Sequence, residues 1–174
     1  MKITKKITIS AMAVALGAVL LAIGALFSVA DLLMGVVASL LMVFIFIEIG
    51  APYTFFVWLG TTLAVFFIPS GMTVATLYFF AFGIYPILKA YIERAPRVLW
   101  WPLRLIYVNA VIAVLLLLTE LVLGTPFFET ELWYFKVGIW LLMNVAFIVY
   151  DAFLTVMIRL YMQKYRKIFK KLLK

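Results

Sequence analysis

Cysteine and histidine are both absent from this chain of 174 residues. Without thiols there is neither a disulfide nor a thiolate nucleophile. Without imidazole there is no Ser–His hydrolytic pair, and the usual ligands of a zinc site are missing. Acidic residues number seven, and no two of them fall on one helix face at membrane depth. No glycine-rich phosphate loop is present, so nucleotide binding of that kind is excluded for the chain by itself. These absences remove most hydrolytic, metal-dependent and phosphoryl-transfer chemistry. The expectation is a non-enzyme with no cofactor and no metal.

What the chain does have is apolar surface. It is 68% hydrophobic and 13% charged, with a mean hydropathy of +1.23. A soluble domain of this length has no interior large enough to hide that surface, so the bilayer must be its solvent. The length suits one domain. A helix crosses about 30 Å of hydrocarbon in about 20 residues, so six crossings use about 120 residues and leave short loops and two tails. The expected fold is all-α: a polytopic integral membrane protein of six transmembrane helices.

Proline, glycine and charge divide the apolar runs. The expected spans are 7–27, 32–49, 53–68, 72–91, 99–123 and 133–162, followed by a basic cytoplasmic tail over 163–174. Gly50, Ala51 and Pro52 separate the second and third, with Pro suited to the first turn of a new helix. Pro69, Ser70 and Gly71 make a turn. Glu93 to Arg97 form a charged loop. Gly124, Thr125 and Pro126 close the fifth span. Within the fourth, Pro86 cannot donate to the carbonyl of Phe82, and Gly83 eases a bend, so a kink is expected there.

Charge then sets the sides. With both termini on one side, fourteen of the fifteen Lys and Arg residues share it, and Lys136 alone lies opposite. This satisfies the positive-inside rule with both termini cytoplasmic. Trp100, Trp101, Trp133, Tyr134 and Tyr161 fall near the expected interfaces, as aromatic belts do. The net charge of +8 is then a match to anionic lipid and not to nucleic acid. The location expected is the bacterial cytoplasmic membrane. The stretch from Lys2 to Ala30 also has the outline of a signal peptide, with Ser28-Val29-Ala30 as a small-x-small site. Its apolar run of 21 residues exceeds the roughly 7–15 of such signals, which favours an uncleaved helix.

Several constellations stand out. Ala11, Ala15, Ala18, Ala22 and Ala25 form a stripe on the first span. Small residues let helices approach closely where lipid gives no hydrophobic drive to associate. The stripe serves either internal packing or a docked partner subunit. Tyr78, Phe82, Tyr85, Lys89 and Glu93 share a face of the fourth span, either as the wall of a pocket or as packing with Lys89 snorkelling to the headgroups. Asn109 and Glu120 share a face of the fifth, and Asn144, Asp151 and Thr155 a face of the sixth. Asp151 sits about 13 Å inside the helix end. A charge there needs a partner, and Arg104 has the reach to make a structural ion pair. Glu48 is expected near the same interface, paired with Lys89 or Arg104. Ser28, Asp31, Glu120, Glu129, Glu131 and Trp133 would form an acidic outer rim.

The size, the six spans, the cytoplasmic termini and the Ala11–Ala15 and Ala18–Ala22 spacing resemble the substrate-binding S component of bacterial energy-coupling-factor transporters. That family captures vitamins or metal ions, and its Ala-x-x-x-Ala helix contacts a transmembrane coupling subunit driven by two ATPases. The resemblance implies a capture subunit, with Ala11, Ala15, Ala18, Ala22 and Ala25 docking the coupling subunit. Two departures count against it. The loop from Ser28 to Asp31 is too short for the family's gating loop, and the polar groups concentrate in the inner half. A small-molecule ligand is expected among Tyr85, Lys89, Asn109, Glu120, Asn144 and Asp151. The alternative is a non-transporting scaffold or assembly protein of the envelope. A second alternative is a small proton-coupled transporter using Asp151. The segment from Phe82 to Lys89 also looks like stretches in uncharacterised small bacterial membrane proteins, which assigns no activity.

Overall fold

The computed structural model describes residues 2–27, 30–68, 71–123 and 133–166, with side chains at 119, 120, 122 and 123 left aside. Among the described residues the chain is helical throughout, with no strand. The helices are α1 (Ile3–Leu26), α2 (Asp31–Glu48), α3 (Ala51–Phe66), α4 (Gly71–Leu77), α5 (Tyr85–Ile92), α6 (Arg97–Leu123) and α7 (Trp133–Leu160). Two π-helical segments join them, Tyr78–Gly83 between α4 and α5 and Tyr161–Tyr165 after α7.

Among the described residues five stretches are long and apolar enough to cross a membrane: Ile3–Leu26, Asp31–Glu48, Gly71–Ile92, Arg97–Leu118 and Trp133–Tyr165. The third expected span is the shorter helix Ala51–Phe66 of 16 residues. At 1.5 Å per residue it reaches about 24 Å, less than the hydrocarbon thickness of about 30 Å. The fourth expected span is not one continuous α-helix. It opens into the π segment just before Pro86, where the missing N–H breaks the usual ladder.

The chain divides into two compact units, Met1–Leu88 with Leu154–Lys174, and Lys89–Phe153. In the first unit α1 packs on α2 and α3 through a stripe of mostly small residues, Ser10, Ala13, Gly17, Leu21 and Gly24. A Cβ at Gly17 would stand 3.0 Å from Thr61 Cγ2, so the two backbones approach as closely as a missing side chain allows. Gly50 turns α2 into α3 with φ at 114°, a region open to glycine. Pro52 follows in the first turn of α3.

Trp58 organises the π segment. Its Nε1 donates to Phe79 O at 3.1 Å, and its ring stacks on Phe79 with centroids 4.4 Å apart. A Cβ at Gly83 would fall 2.4 Å from Trp58 Cδ1. The indole therefore needs glycine there. Tyr78, which opens the segment, and Tyr85, just beyond its end, are fully buried.

The second unit holds the end of α5, all of α6 and the larger part of α7. Their inward stripes are Arg104, Val108 and Ile112 on α6, and Asn144, Tyr150 and Asp151 on α7. The remaining faces of both helices carry exposed Leu, Ile, Val and Trp, the surface that lipid solvates.

Candidate functional site

The second unit contains two polar layers. The lower joins Lys89 of α5, Glu93 just beyond it, Arg104 of α6 and Asp151 of α7. Lys89 is 1% exposed, Asp151 6% and Arg104 9%, while the Glu93 side chain is 33% exposed. Lys89 Nζ donates to Asp151 Oδ1 and to the Asp151 carbonyl at 3.3 Å. It also lies 3.4 Å from Glu93 Oε1. Arg104 Nη1 donates to Asp151 Oδ2 at 2.6 Å, and Nη2 donates to Glu93 Oε1 at 3.0 Å.

Asp151 thus has a cation on each oxygen, and Glu93 closes the ring on the other side. Two cations and two carboxylates leave the group with no net charge. This is the condition under which ionised groups are tolerated at membrane depth. The Arg104 guanidinium also stands 5.8 Å from the Trp100 ring centroid and 6.0 Å from that of Trp101, so two indoles shield its approach. Its Nε has no hydrogen-bond partner among the described residues.

The upper layer lies roughly 10 Å along α7, seven residues from Asp151. Asn109 Nδ2 donates to Leu105 O at 2.8 Å and to Asn144 Oδ1 at 3.4 Å. Trp140 Nε1 donates to Asn109 Oδ1 at 2.9 Å. Asn144 Nδ2 donates to Trp140 O at 3.0 Å. Each amide is held by its own helix on one side and by the neighbouring helix on the other. Such bonds fix register between helices in lipid.

The residues proposed for a ligand therefore meet in part. Lys89 and Asp151 form one layer and Asn109 and Asn144 the other. Tyr85 is fully buried but belongs to the first unit. The side chain of Glu120 lies outside the described residues, as do Ser28, Glu129 and Glu131. The expected approach of Arg104 to Asp151 is the 2.6 Å hydrogen bond. Lys89 does not snorkel: it turns inward to the carboxylate. Glu48 has partners other than those expected. Tyr161 Oη donates to its Oε1 at 3.1 Å, and Arg166 Nε stands 3.6 Å away. The reason is lateral arrangement: α2 lies beside the end of α7, within the first unit.

Glu93 shares the face of Lys89 in the sequence, and its place four residues on is the spacing of the helical ion pair found here. Trp140 is the participant that the sequence reading misses, because its indole bonds Asn109 on the neighbouring helix, a contact that no spacing along α7 announces.

The alanine stripe is divided. Ala11 and Ala15 are exposed, whereas Ala18, Ala22 and Ala25 are half-buried, and Ala18 and Ala25 pack against the core. The stripe that α1 uses internally lies about 120° around the helix axis at 100° per residue. Among the described residues no cluster of acidic side chains is placed to hold a metal ion. No protein-family model matches the chain, no curated protein matches it, and no solved structure matches it.

Proposed function

We propose that this chain is a docking or assembly subunit of the bacterial cytoplasmic membrane, with six crossings and both ends in the cytosol, and that it acts through its lateral faces. The single observation carrying this reading is the closure of the polar layers. The cations, carboxylates and amides offered to a ligand are bonded to one another, and their charges cancel. A polar solute would have to displace an intramolecular partner from each group it touched. Proton-coupled transport would require Asp151 to leave two cations in every cycle. Neither demand arises for a scaffold, which needs helices held in fixed register and an outer face free for a neighbour. The exposed Ala11 and Ala15, beside but apart from the internal stripe of α1, supply such a face.

The test is purification of the full chain in mild detergent, followed by native mass spectrometry and identification of bound components. A membrane-protein partner is expected, with no vitamin-sized molecule in stoichiometric amount. Ala11→Leu combined with Ala15→Leu should remove the partner while the isolated chain keeps its elution volume and helical content. A bound polar small molecule whose retention fails in Asn109→Leu would overturn the proposal in favour of solute capture.

A further inference from the structure

The first unit contains a cavity of about 380 Å³ between α2 and the end of α7. Val43 and Phe44 form one wall, Met157 and Leu160 the other, and Tyr161 and Tyr165 stand at one end. The walls are wholly apolar. The polar end is different. Glu48 accepts the Tyr161 hydroxyl there, and Arg166 Nε lies 3.6 Å from Glu48, in ion-pair range but too far for a hydrogen bond. That Nε has no hydrogen-bond partner among the described residues. Lys164 is exposed beside it. Two cations against one carboxylate leave this end with a charge of +1.

We infer that this groove holds one acyl chain of an anionic glycerophospholipid, with the lipid phosphate at Arg166 and Lys164. Two observations converge on that occupant. An apolar slot ending in loosely held cations has the polarity of a lipid molecule, tail to headgroup. The change from α to π winding at Tyr161–Tyr165 also falls on the residues that close the slot. Such widening re-aims side chains and is frequent at binding sites. Here it places Tyr161 on Phe44, with ring centroids 5.8 Å apart and edge-on, so the tyrosine caps the apolar walls while its hydroxyl reaches Glu48.

The experiment adds phosphatidylglycerol or phosphatidylcholine to the full chain in mild detergent and counts retained lipid by native mass spectrometry. One phosphatidylglycerol should remain bound, preferred over phosphatidylcholine by about fivefold for each basic residue that meets the phosphate. Leu160→Trp fills the slot from an exposed position and should remove the retained lipid of either kind. Lys164→Gln with Arg166→Gln should keep a lipid but erase the preference. Circular dichroism checks that both variants stay folded. Equal retention of the two lipids by the unaltered chain would mean boundary lipid only and would overturn the inference. So would retention of phosphatidylglycerol by Leu160→Trp, or its displacement by equimolar glycerol phosphate, which carries the headgroup chemistry without a tail.

Discussion

Lys89 shows how much a single side chain decides here. Near the end of a span, a lysine has two low-energy options: to run its methylenes outward to the headgroups, or to turn inward to a carboxylate. It takes the second, because Asp151 lies within reach and is itself costly without a cation. Arg104 alone would leave Asp151 Oδ1 without a charged partner, and Lys89 supplies it. Replacing Lys89 with Met therefore removes one cation and leaves two buried or half-buried carboxylates sharing Arg104. Breaking one side of a buried ion pair costs about 3–5 kcal/mol. Titration with sodium dodecyl sulfate, followed by far-ultraviolet circular dichroism, should show Lys89→Met unfolding at clearly lower detergent fraction than the parent. Adding Asp151→Asn to the same chain should restore much of the loss, since charge is then balanced again by Arg104 and Glu93. A double variant as unstable as the sum of the two single changes would mean that Lys89 and Asp151 are not coupled.

At the scale of the element, the break in the fourth span has a cause that the sequence shows and a form that it does not. Pro86 and Gly83 mark the place, because one lacks a donor and the other a side chain. The form depends on Trp58, which lies 25 residues before Gly83 in sequence. Its indole takes the Phe79 carbonyl and occupies the space above Gly83. No periodicity within the span reveals that contact. Gly83→Ala places a methyl where Trp58 Cδ1 now sits, so the indole must tilt or the π segment must rewind. Overpacking of this kind costs about 1–3 kcal/mol. The expected result is a lower detergent midpoint together with a red shift of Trp58 emission, read in a chain whose other tryptophans are replaced by phenylalanine. Gly83→Ala in a Trp58→Ala background should cost much less. If the two changes simply add, Trp58 is not what reserves the glycine.

The same contrast runs through the site. The helix positions follow from apolar length and from proline and glycine punctuation, so α1, α2, α6 and α7 begin and end within a few residues of the expected spans. The Arg104–Asp151 pair was within reach of sequence reasoning because depth alone demands a cation. The partners of Lys89 and Glu48 were not, because they depend on which helices stand side by side. Charge sorting gives the vertical coordinate of a residue in the membrane and says nothing of its lateral one. That is why Glu48 was matched to cations at its own level, whereas it bonds Tyr161 and Arg166.

At the scale of the whole molecule the open question is parity, and it turns on α3. Among the described residues five stretches pass by length and composition, and α3 is shorter than any of them. If α3 stays on one side, the chain crosses five times and its ends part. Either the three N-terminal lysines or the C-terminal tail with Arg159 then faces outward, against the charge bias that fixes orientation. If α3 crosses, fourteen of fifteen basic residues share a side. A helix of about 24 Å can still cross, since the bilayer thins locally at a modest cost per Å of mismatch. Its buried Thr54, Thr61 and Thr62 face protein and not lipid, so their hydroxyls do not oppose a crossing. Because the chain has no cysteine, single introduced cysteines report without background. Ala95→Cys, Ala51→Cys, Ser70→Cys and Gly124→Cys are treated on intact cells with a membrane-impermeant maleimide. Ser70→Cys and Gly124→Cys should react, while Ala95→Cys and Ala51→Cys should react only after lysis. Labelling of Ala51→Cys and Ser70→Cys alike from one side would show that α3 does not cross, and the shared cytosolic location of the two ends would fall with it.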